Sequence, residues 1–299
     1  MTLSSYLRNA PLASSRGLMN PPLYLSLTFL LGGFSFAYGN GGDVSIPEVI
    51  CIFISIILFS AATNSFDDYF DYRNKVDTPD APNTRYRRHP IFDIGLKPET
   101  MLSYGILEIL AMAMVVTISA LVLSQPFILS IIPLGILISY GYTGPPFGFK
   151  YRGFGEILVA LGYVSVTIIE CVISNCTFSS SFVVFTAIGA LLFPMVIFSG
   201  NIRDWKWDRD TGIRTVPVRI GARNSKRTFL LFSTLALIIF SYNALASGIF
   251  LIISIPPAAT LTVFMNNRLR LPNLDLIERD VGNSVFLITL ISLLPYLFH

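Results

Sequence analysis

Long apolar stretches alternate with short polar connections along most of the chain. Nine stretches are about 17–25 residues long, enough for a helix to cross a hydrocarbon core of about 30 Å. They lack the ten-residue alternation of a membrane β-barrel, so they satisfy their backbone groups in lipid only as α-helices. The predicted spans are 21–39, 46–70, 97–123, 127–143, 154–174, 181–203, 227–246, 248–265 and 281–298. The pattern predicts an all-α membrane protein, a bundle of about nine transmembrane helices around a central cavity.

Charged residues are rare and unevenly distributed. The 299-residue chain is 53% hydrophobic and 13% charged, whereas a soluble globular protein carries roughly 25% charged residues. If the N-terminus is cytoplasmic, all 21 Lys and Arg residues fall on the cytoplasmic side and the opposite connections contain none. This predicts a multi-pass protein of the cell membrane. The first span could instead be a signal peptide, but no small-residue cleavage site is clear and eight more spans follow.

A weak internal repeat accompanies the spans. The second span ends in N-S-F-D-D-Y-F-D and the sixth in N-I-R-D-W-K-W-D, and both run from outside to inside. This favours a duplicated unit of four helices, spans 1–4 and 5–8, with the two polar motifs facing each other across the cavity. Since no linker or low-complexity tract interrupts the pattern, residues 1–299 are predicted to form a single transmembrane domain.

Two polar clusters at cytoplasmic helix ends are the candidate functional residues. They are the first cluster, Asn64–Asp77, and the second cluster, Asn201–Asp210. At about 100° per residue, Asn64, Asp68 and Asp71 share one helix face, with Asp67 at its edge. The same alignment is expected in the second cluster for Asn201, Asp204 and Asp208. Carboxylates at a membrane rim are costly and need a counter-charge. Alternatively, the Asp residues could be solvated at the helix ends and paired with nearby arginines. This alternative would explain a single cluster, but it explains two aligned clusters less well.

The ligand types in these clusters favour a hard cation. The chain has two histidines, and its three cysteines lack C-x-x-C spacing, so neither a thiolate metal site nor a disulfide framework is supported. Carboxylate and amide oxygens suit Mg²⁺, Mn²⁺ or Ca²⁺, and of these Mg²⁺ typically bridges carboxylates to substrate phosphates. Basic residues that could neutralise a diphosphate lie close by, although the positive-inside rule alone also accounts for many of them. They are Arg73, Lys75, Arg85, Arg87, Arg88, Lys150, Arg152, Arg203, Lys206 and Arg209.

Three stretches of the chain match the motifs of a known family. The first is N-S-F-D-D-Y-F-D, which begins at Asn64, and the second runs from Asn201 through D-W-K-W-D to Gly221. The third is Y-T-G-P-P-F-G-F-K-Y-R-G-F-G-E, from Tyr142 to Glu156. Together they resemble the UbiA superfamily of intramembrane prenyltransferases. The third stretch is similar to a segment of the naphthoate prenyltransferases of menaquinone synthesis.

This resemblance implies a role for each group of residues. Two or more Mg²⁺ ions would be held around a diphosphate by Asn64, Asp68, Asp71, Asn201, Asp204 and Asp208. The substrate would be bound by Arg73, Arg88, Tyr142, Lys150, Arg152 and Arg203. Catalysis would depend on Asp68, Asp71, Asp204 and Asp208, with Glu156 orienting or deprotonating the acceptor. Pairing of Glu156 with Arg152 is an equal alternative. The first loop reads R-Y-R-R-H-P-I where one branch has R-P-I-P-S-G, which leaves open whether Arg85 or Arg88 binds diphosphate.

The expected function is Mg²⁺-dependent transfer of a prenyl group from a polyprenyl diphosphate to an aromatic or polar lipid acceptor. Diphosphate would leave on the cytoplasmic side, where metal and cations stabilise its developing charge. A terpene cyclase needing no acceptor, or transfer to a glycerol-phosphate lipid, would use the same site. A secondary transporter is disfavoured because its ion sites should lie near the bilayer midplane. Membrane lipids are expected partners and nucleic acids are not.

Overall fold

The described part of the protein is helical throughout. The computed structural model describes residues 30, 33–34, 36–38, 41–85, 89–247 and 254–297, and these contain α- and 3₁₀-helices and no strand. The main helices are α1 (Ile46–Arg73), α2 (Pro98–Val122), α3 (Ile131–Gly141), α4 (Gly155–Ile173), α5 (Ser180–Asp210), α6 (Val216–Ser247), α7 (Ile255–Arg268) and α8 (Ile277–Leu297). The short ones are the one-turn helix Pro82–Arg85 and the 3₁₀-helices Pro126–Ser130 and Lys150–Arg152.

Five of the nine predicted membrane helices are found in the described part of the structure, close to their predicted positions. Among the described residues, five helices are long and apolar enough to cross a membrane: Ile46–Arg73, Pro98–Val122, Gly155–Ile173, Ser180–Asp210 and Ala222–Leu245 of α6. The all-α membrane class is therefore confirmed for this part of the chain. The number nine and the cytoplasmic N-terminus stay predictions. Most of the span predicted at 21–39, and residues 248–253 of the eighth, lie outside the described residues.

Helices α1 and α5 begin at capping residues and extend further than predicted. Ser45 and Glu48 form a reciprocal capping box at the start of α1, and Ser179 caps α5 by accepting from the Phe182 N–H. The helix α5 then continues to Asp210, seven residues past the predicted limit, because polar residues extend a helix once it leaves the apolar layer. Both polar clusters therefore begin on the C-terminal turns of long helices.

Glycines allow close packing within each half of the bundle. A Cβ on Gly105 of α2 would lie 2.7 Å from the Phe66 ring of α1, and a Cβ on Gly189 of α5 would lie 2.0 Å from the Tyr163 ring of α4. Small residues of this kind let membrane helices approach. The α1–α2 pair and the α4–α8 group each bury their own aromatic core. The space between these two groups is the central cavity.

A disulfide corrects one expectation from the sequence. Cys171, near the end of α4, is bonded to Cys176 in the connection to α5, and their Cα atoms are 4.9 Å apart. The expectation of no disulfide was wrong because it depended on a recognisable cysteine motif, whereas the turn at Asn175, with φ of 52°, is what brings the two thiols together. This bond lies at the end of α4 opposite the polar clusters.

Candidate active site

A cavity of about 340 Å³ lies between α1, α3, α4 and α5, and its polar end is at the C-termini of α1 and α5. Five carboxylates line this end: Asp67, Asp71, Asp204, Asp208 and Glu278. Two cations, Lys150 and Arg203, and three amides, Asn64, Asn83 and Asn201, line the cavity as well. Among the described lining residues, acidic side chains thus outnumber basic ones by three. The remaining wall is mostly aliphatic and aromatic.

The first cluster is neutralised by a lysine from another part of the chain. The Lys150 ammonium donates to Asp67 Oδ1 at 2.8 Å and to Asp71 Oδ2. The Tyr151 hydroxyl donates to the other oxygen of Asp71 at 2.7 Å. Asp71 is completely buried, so both of its oxygens obtain their partners from this one dipeptide. The first cluster therefore depends on the connection between α3 and α4.

Both members of this dipeptide keep their protons. Burial lowers the pKa of the Lys150 ammonium, but the carboxylates of Asp67 and Asp71 raise it by more, so the pKa lies well above its ordinary value. Burial and then the Asp71 charge raise the pKa of the Tyr151 hydroxyl. Lys150 is consequently a permanent cation at neutral pH and Tyr151 a permanent donor.

The connection between α3 and α4 is folded tightly enough to place Lys150 in the cavity. The Lys150 N–H donates to the Tyr142 carbonyl at 2.8 Å. Gly153 ends the 3₁₀-turn with φ of 74°, and a Cβ there would lie 2.8 Å from the Arg214 carbonyl of the connection after α5. The Tyr142 ring also lines the cavity, with its centroid 5.8 Å from the Lys150 ammonium, at the limit of a cation–π contact.

The second cluster is neutralised by its own arginine. The Arg203 guanidinium grips Asp204 through two hydrogen bonds of 2.6 and 2.7 Å. It also donates to Glu278 Oε2 at 3.0 Å, at the start of α8. Gly200 leaves the room for this contact, since a Cβ there would lie 2.3 Å from Glu278 Oε1. Arg203 thus connects α5 to α8 at the rim of the cavity.

Two further hydrogen bonds orient the remaining polar side chains of the second cluster. Asp208, which is buried, accepts from the Thr215 hydroxyl at 3.0 Å. The Asn201 amide donates to Glu156 Oε1 at 2.9 Å. Glu156 thus contacts the second cluster, and the structure shows no ion pair between it and Arg152 within the described residues. The exposed Arg152 guanidinium donates instead to the Pro146 carbonyl at 2.8 Å.

Asp68 faces away from the cavity into a buried carboxylate–imidazole group. His89 Nε2 lies 3.1 Å from Asp77 Oδ2 and 4.0 Å from Asp68 Oδ1, and all three residues are buried. Because the Ile91 N–H donates to His89 Nδ1, the ring proton is on Nε2 and points to Asp77. Their donor atoms are close enough to hold a cation, but the imidazole already satisfies Asp77. These contacts hold the first loop, the connection after α1 that carries Asp77 and His89, against α1.

The two clusters are also connected directly. The Trp207 indole N–H donates to the Val76 carbonyl at 2.8 Å, and both residues line the cavity. The loop after α1 therefore lies against the end of α5 beside the polar end of the cavity.

The structure brings together most, but not all, of the predicted site residues. The cavity is lined by Asn64, Asp71, Tyr142, Lys150, Asn201, Arg203, Asp204 and Asp208, and Glu156 contacts it through Asn201. Asp68 and the exposed Arg73 and Arg152 do not line it, and Arg73 donates to the Tyr69 hydroxyl at 2.9 Å. Arg88 lies outside the described residues.

Glu278 is a charged lining residue that the sequence did not reveal. It sits next to Arg279 and Asp280 in a charged segment typical of a solvated connection, and it is 75 residues from its partner Arg203. The acidic first turn of the last apolar helix is the sequence signal that could have drawn attention to it.

In the part of the chain that the structure describes, a helical membrane fold places carboxylate and amide oxygens around an internal cavity. The profile of the UbiA prenyltransferase family matches residues 25–290. The chain belongs to this family.

Two curated relatives match part of the chain. The 1,4-dihydroxy-2-naphthoate octaprenyltransferase of Bacillus subtilis is 30% identical over 186 residues, which are 59% of this chain and 56% of that protein. The UbiA prenyltransferase domain-containing protein 1 of Dictyostelium discoideum is 27% identical over 213 residues, 68% of this chain and 62% of that protein. The chain spans about three fifths of the length of these relatives.

Solved structures share the fold. A UbiA homolog from Archaeoglobus fulgidus bound to GPP and Mg²⁺ superposes with a TM-score of 0.62 and 18% identity, over 93% of this chain and 98% of that one. The apo structure of a UbiA homolog from Aeropyrum pernix K1 gives a TM-score of 0.68 and 14% identity, over 89% and 94%.

Proposed function

We propose that the protein is a Mg²⁺-dependent prenyltransferase, which moves a prenyl group from a polyprenyl diphosphate to an aromatic or polar lipid acceptor in the membrane and releases diphosphate. Family membership supports this, as does the GPP and Mg²⁺ bound to the Archaeoglobus fulgidus homolog. Because the Bacillus subtilis relative is a 1,4-dihydroxy-2-naphthoate octaprenyltransferase, a dihydroxynaphthoate is the first acceptor to test.

The observation that carries the proposal is the charge at the polar end of the cavity. Three more carboxylates than cations line it, so a diphosphate anion alone would be repelled. Two or more Mg²⁺ ions would remove this conflict, because they would be held by the carboxylate and amide oxygens and would supply positive charge for the phosphate oxygens. The residues suited to hold them are Asn64, Asp67, Asp71, Asn201, Asp204 and Asp208. A ligand role for Asp68 stays a prediction from the sequence.

The two cavity cations then have a natural second partner. With Asp67 and Asp71 as metal ligands, Lys150 would be available for phosphate oxygens, and Arg203, which keeps its contacts with Asp204 and Glu278, would add positive charge at the same rim. Lys150 supplies a compact charge and Arg203 a planar fork, and both suit a departing diphosphate. Bound Mg²⁺ would supply the remaining stabilisation of the negative charge that develops on the leaving group. Tyr142, beside Lys150, presents a ring face to the cation end of the substrate.

The apolar part of the cavity accounts for the other half of the reaction. Ionisation leaves an allylic cation that must meet the acceptor before water does. The walls formed by α1, α3 and α4 hold the hydrocarbon tail, and the first loop, held by Trp207 and Val76, lies beside the polar end. Glu156, held by Asn201 beside the cavity, is the carboxylate placed to orient or deprotonate the acceptor.

The polar end is proposed to open to the cytoplasm. It lies at the end of the bundle that carries Lys150, Arg203 and the other basic connections, as the positive-inside rule requires. The Cys171–Cys176 disulfide lies at the opposite end of α4, which suits the oxidising side of a membrane.

Purified protein in nanodiscs, given Mg²⁺, a prenyl diphosphate and dihydroxynaphthoate, tests the function. Mass spectrometry should find a prenylated acceptor, and diphosphate release should stop with EDTA and return with Mg²⁺. Product formed without any acceptor would identify a cyclase instead. No consumption of prenyl diphosphates of two to eight isoprene units, with naphthoate, benzoate and glycerol-phosphate acceptors, would contradict the proposal.

A further inference from the structure

Three glycines line the cavity, and two of them are required by a neighbouring side chain. A Cβ on Gly200 would lie 2.3 Å from Glu278 Oε1, and a Cβ on Gly135 would lie 3.1 Å from Met112 Cε. Gly162, in the middle of α4, differs from both. A Cβ there meets one described atom within 4 Å, the tip of Ile138 at 3.9 Å, which is ordinary contact. Helix packing therefore does not explain a glycine at position 162.

A glycine inside a helix makes the helix less stable than an alanine would. Glycine loses more backbone freedom on folding than alanine does, and it has no side chain to bury. Gly162 lies on the cavity face of α4, together with Leu158, Val159, Val166 and Ile169. Its neighbour Leu161 lies on the opposite, exposed face. The missing side chain thus leaves room in the cavity beside α4, where a ligand can lie.

The position of Gly162 along α4 gives its depth in the cavity. Glu156, hydrogen-bonded to Asn201, marks the polar end, and Gly162 follows six residues later, about 9 Å deeper. Ile169, near the far end of the lining, is about 10 Å beyond Gly162. An extended isoprene unit adds four carbon–carbon bonds, about 5 Å. Gly162 is therefore level with the second unit of a bound prenyl chain, and Ile169 with the fourth.

We propose that Gly162 determines the length of the prenyl donor by leaving the cavity open to a chain of about four isoprene units. This inference rests on the proposed function and adds a specificity residue to it. A large side chain at position 162 would fill the cavity at the level of the second unit and stop the chain after its first unit. Shorter donors would still fit above it.

The test is binding of radiolabelled dimethylallyl and geranylgeranyl diphosphates, of one and four units, to purified protein with Mg²⁺. In Gly162→Phe, affinity for the four-unit donor should fall by about tenfold or more, since even two methylene groups left unburied have that effect. Affinity for the one-unit donor should change by less than about threefold, because its chain ends before it reaches the ring. Leu161→Phe adds the same ring on the exposed face and should change neither affinity.

Equal affinity of Gly162→Phe and wild type for the four-unit donor would overturn the inference, and so would an equal loss for both donors in a folded variant. If Gly162→Phe does not fold, Gly162→Ala and Gly162→Val replace it in the test. The loss of affinity for the four-unit donor alone should then grow with the volume of the side chain. Failure of the wild type to bind either donor with Mg²⁺ would instead count against the proposed function itself. Wild-type binding without any length effect at position 162 would remove only the inference.

Discussion

The two polar clusters line one cavity but are neutralised in different ways. In the first cluster, Asp67 and Asp71 depend on Lys150, which comes from the connection between α3 and α4. In the second, Asp204 is paired with Arg203, the residue next to it on the same helix, and Arg203 also contacts Glu278. Similar sequences at the ends of α1 and α5 therefore have unlike electrostatic surroundings.

This difference suggests unlike roles for the two cations. Lys150 approaches two carboxylates through a flexible stem with a single charge, so competition from a metal releases it readily. Arg203 is bound on both sides in a planar network, which costs more to disassemble. We expect the first cluster to rearrange when metal and substrate bind, and the second to keep its geometry. The duplicated four-helix unit predicted from the sequence stays a prediction, and any such symmetry does not extend to these pairs.

The largest effect is expected for Asp71→Asn. It removes a buried charge that holds Lys150 and Tyr151 and a proposed metal ligand, so diphosphate release should fall by about 100- to 1000-fold. Asp210→Asn is the matched control in the second cluster, where the side chain is 68% exposed and pairs only with exposed Arg209 among the described contacts. Its activity should stay within about twofold of wild type. Similar losses in both variants would contradict the assignment of the cavity.

Lys150→Met should follow, with a loss of about 100-fold in kcat/KM, because the leaving group loses a cation. It also leaves Asp67 and Asp71 without their shared partner. Added Mg²⁺ should therefore raise the melting temperature of this variant more than that of wild type. Arg152→Met, two residues away and exposed, should change activity by less than about threefold. Weaker stabilisation of Lys150→Met by Mg²⁺ would show that the lysine and the metal do not share these carboxylates.

Glu278→Gln tests the rigid network of the second cluster. The change keeps the side chain's shape and removes the charge that holds one side of Arg203, so kcat should fall by about tenfold. Arg279→Gln alters the next residue, whose side chain is 57% exposed, and should have little effect. Measured kcat and KM for the two variants separate a positioning role from loss of substrate binding. Unchanged kcat in Glu278→Gln would remove Glu278 from the site.

The smallest effect is expected for Trp207→Phe, which removes the hydrogen bond between the two clusters. The indole N–H no longer reaches the Val76 carbonyl, so the free energy of unfolding should fall by about 1 kcal/mol. Trp205→Phe is a close control, because that indole lies beside Lys206 and Arg209 at the surface. Chemical denaturation in detergent measures both. A larger loss for Trp205→Phe would mean that the bridge between the clusters contributes little.

The choice of helix face could not be made from spacing alone. The set Asn64, Asp68 and Asp71 and the set Asn64, Asp67 and Asp71 both advance by three and four residues, so both align on a helix. The structure directs Asp67 into the cavity and Asp68 towards His89. The position of the first loop determines which of the two aspartates faces the cavity, because this loop places the His89 imidazole beside Asp68. That loop has no periodic pattern, and its place depends on contacts far apart in the chain.

By itself, the sequence determined the helical membrane class, most helix limits and the two clusters, because apolar length and residue spacing are local properties. Helix α2, for instance, covers Pro98–Val122 where 97–123 was predicted. Tertiary structure alone decided which side chains meet: Lys150 with Asp67 and Asp71, and Glu278 with Arg203. It also decided that Gly162 lines the cavity. These pairings join residues 75 or more positions apart, and their geometry depends on how whole helices pack rather than on any short segment.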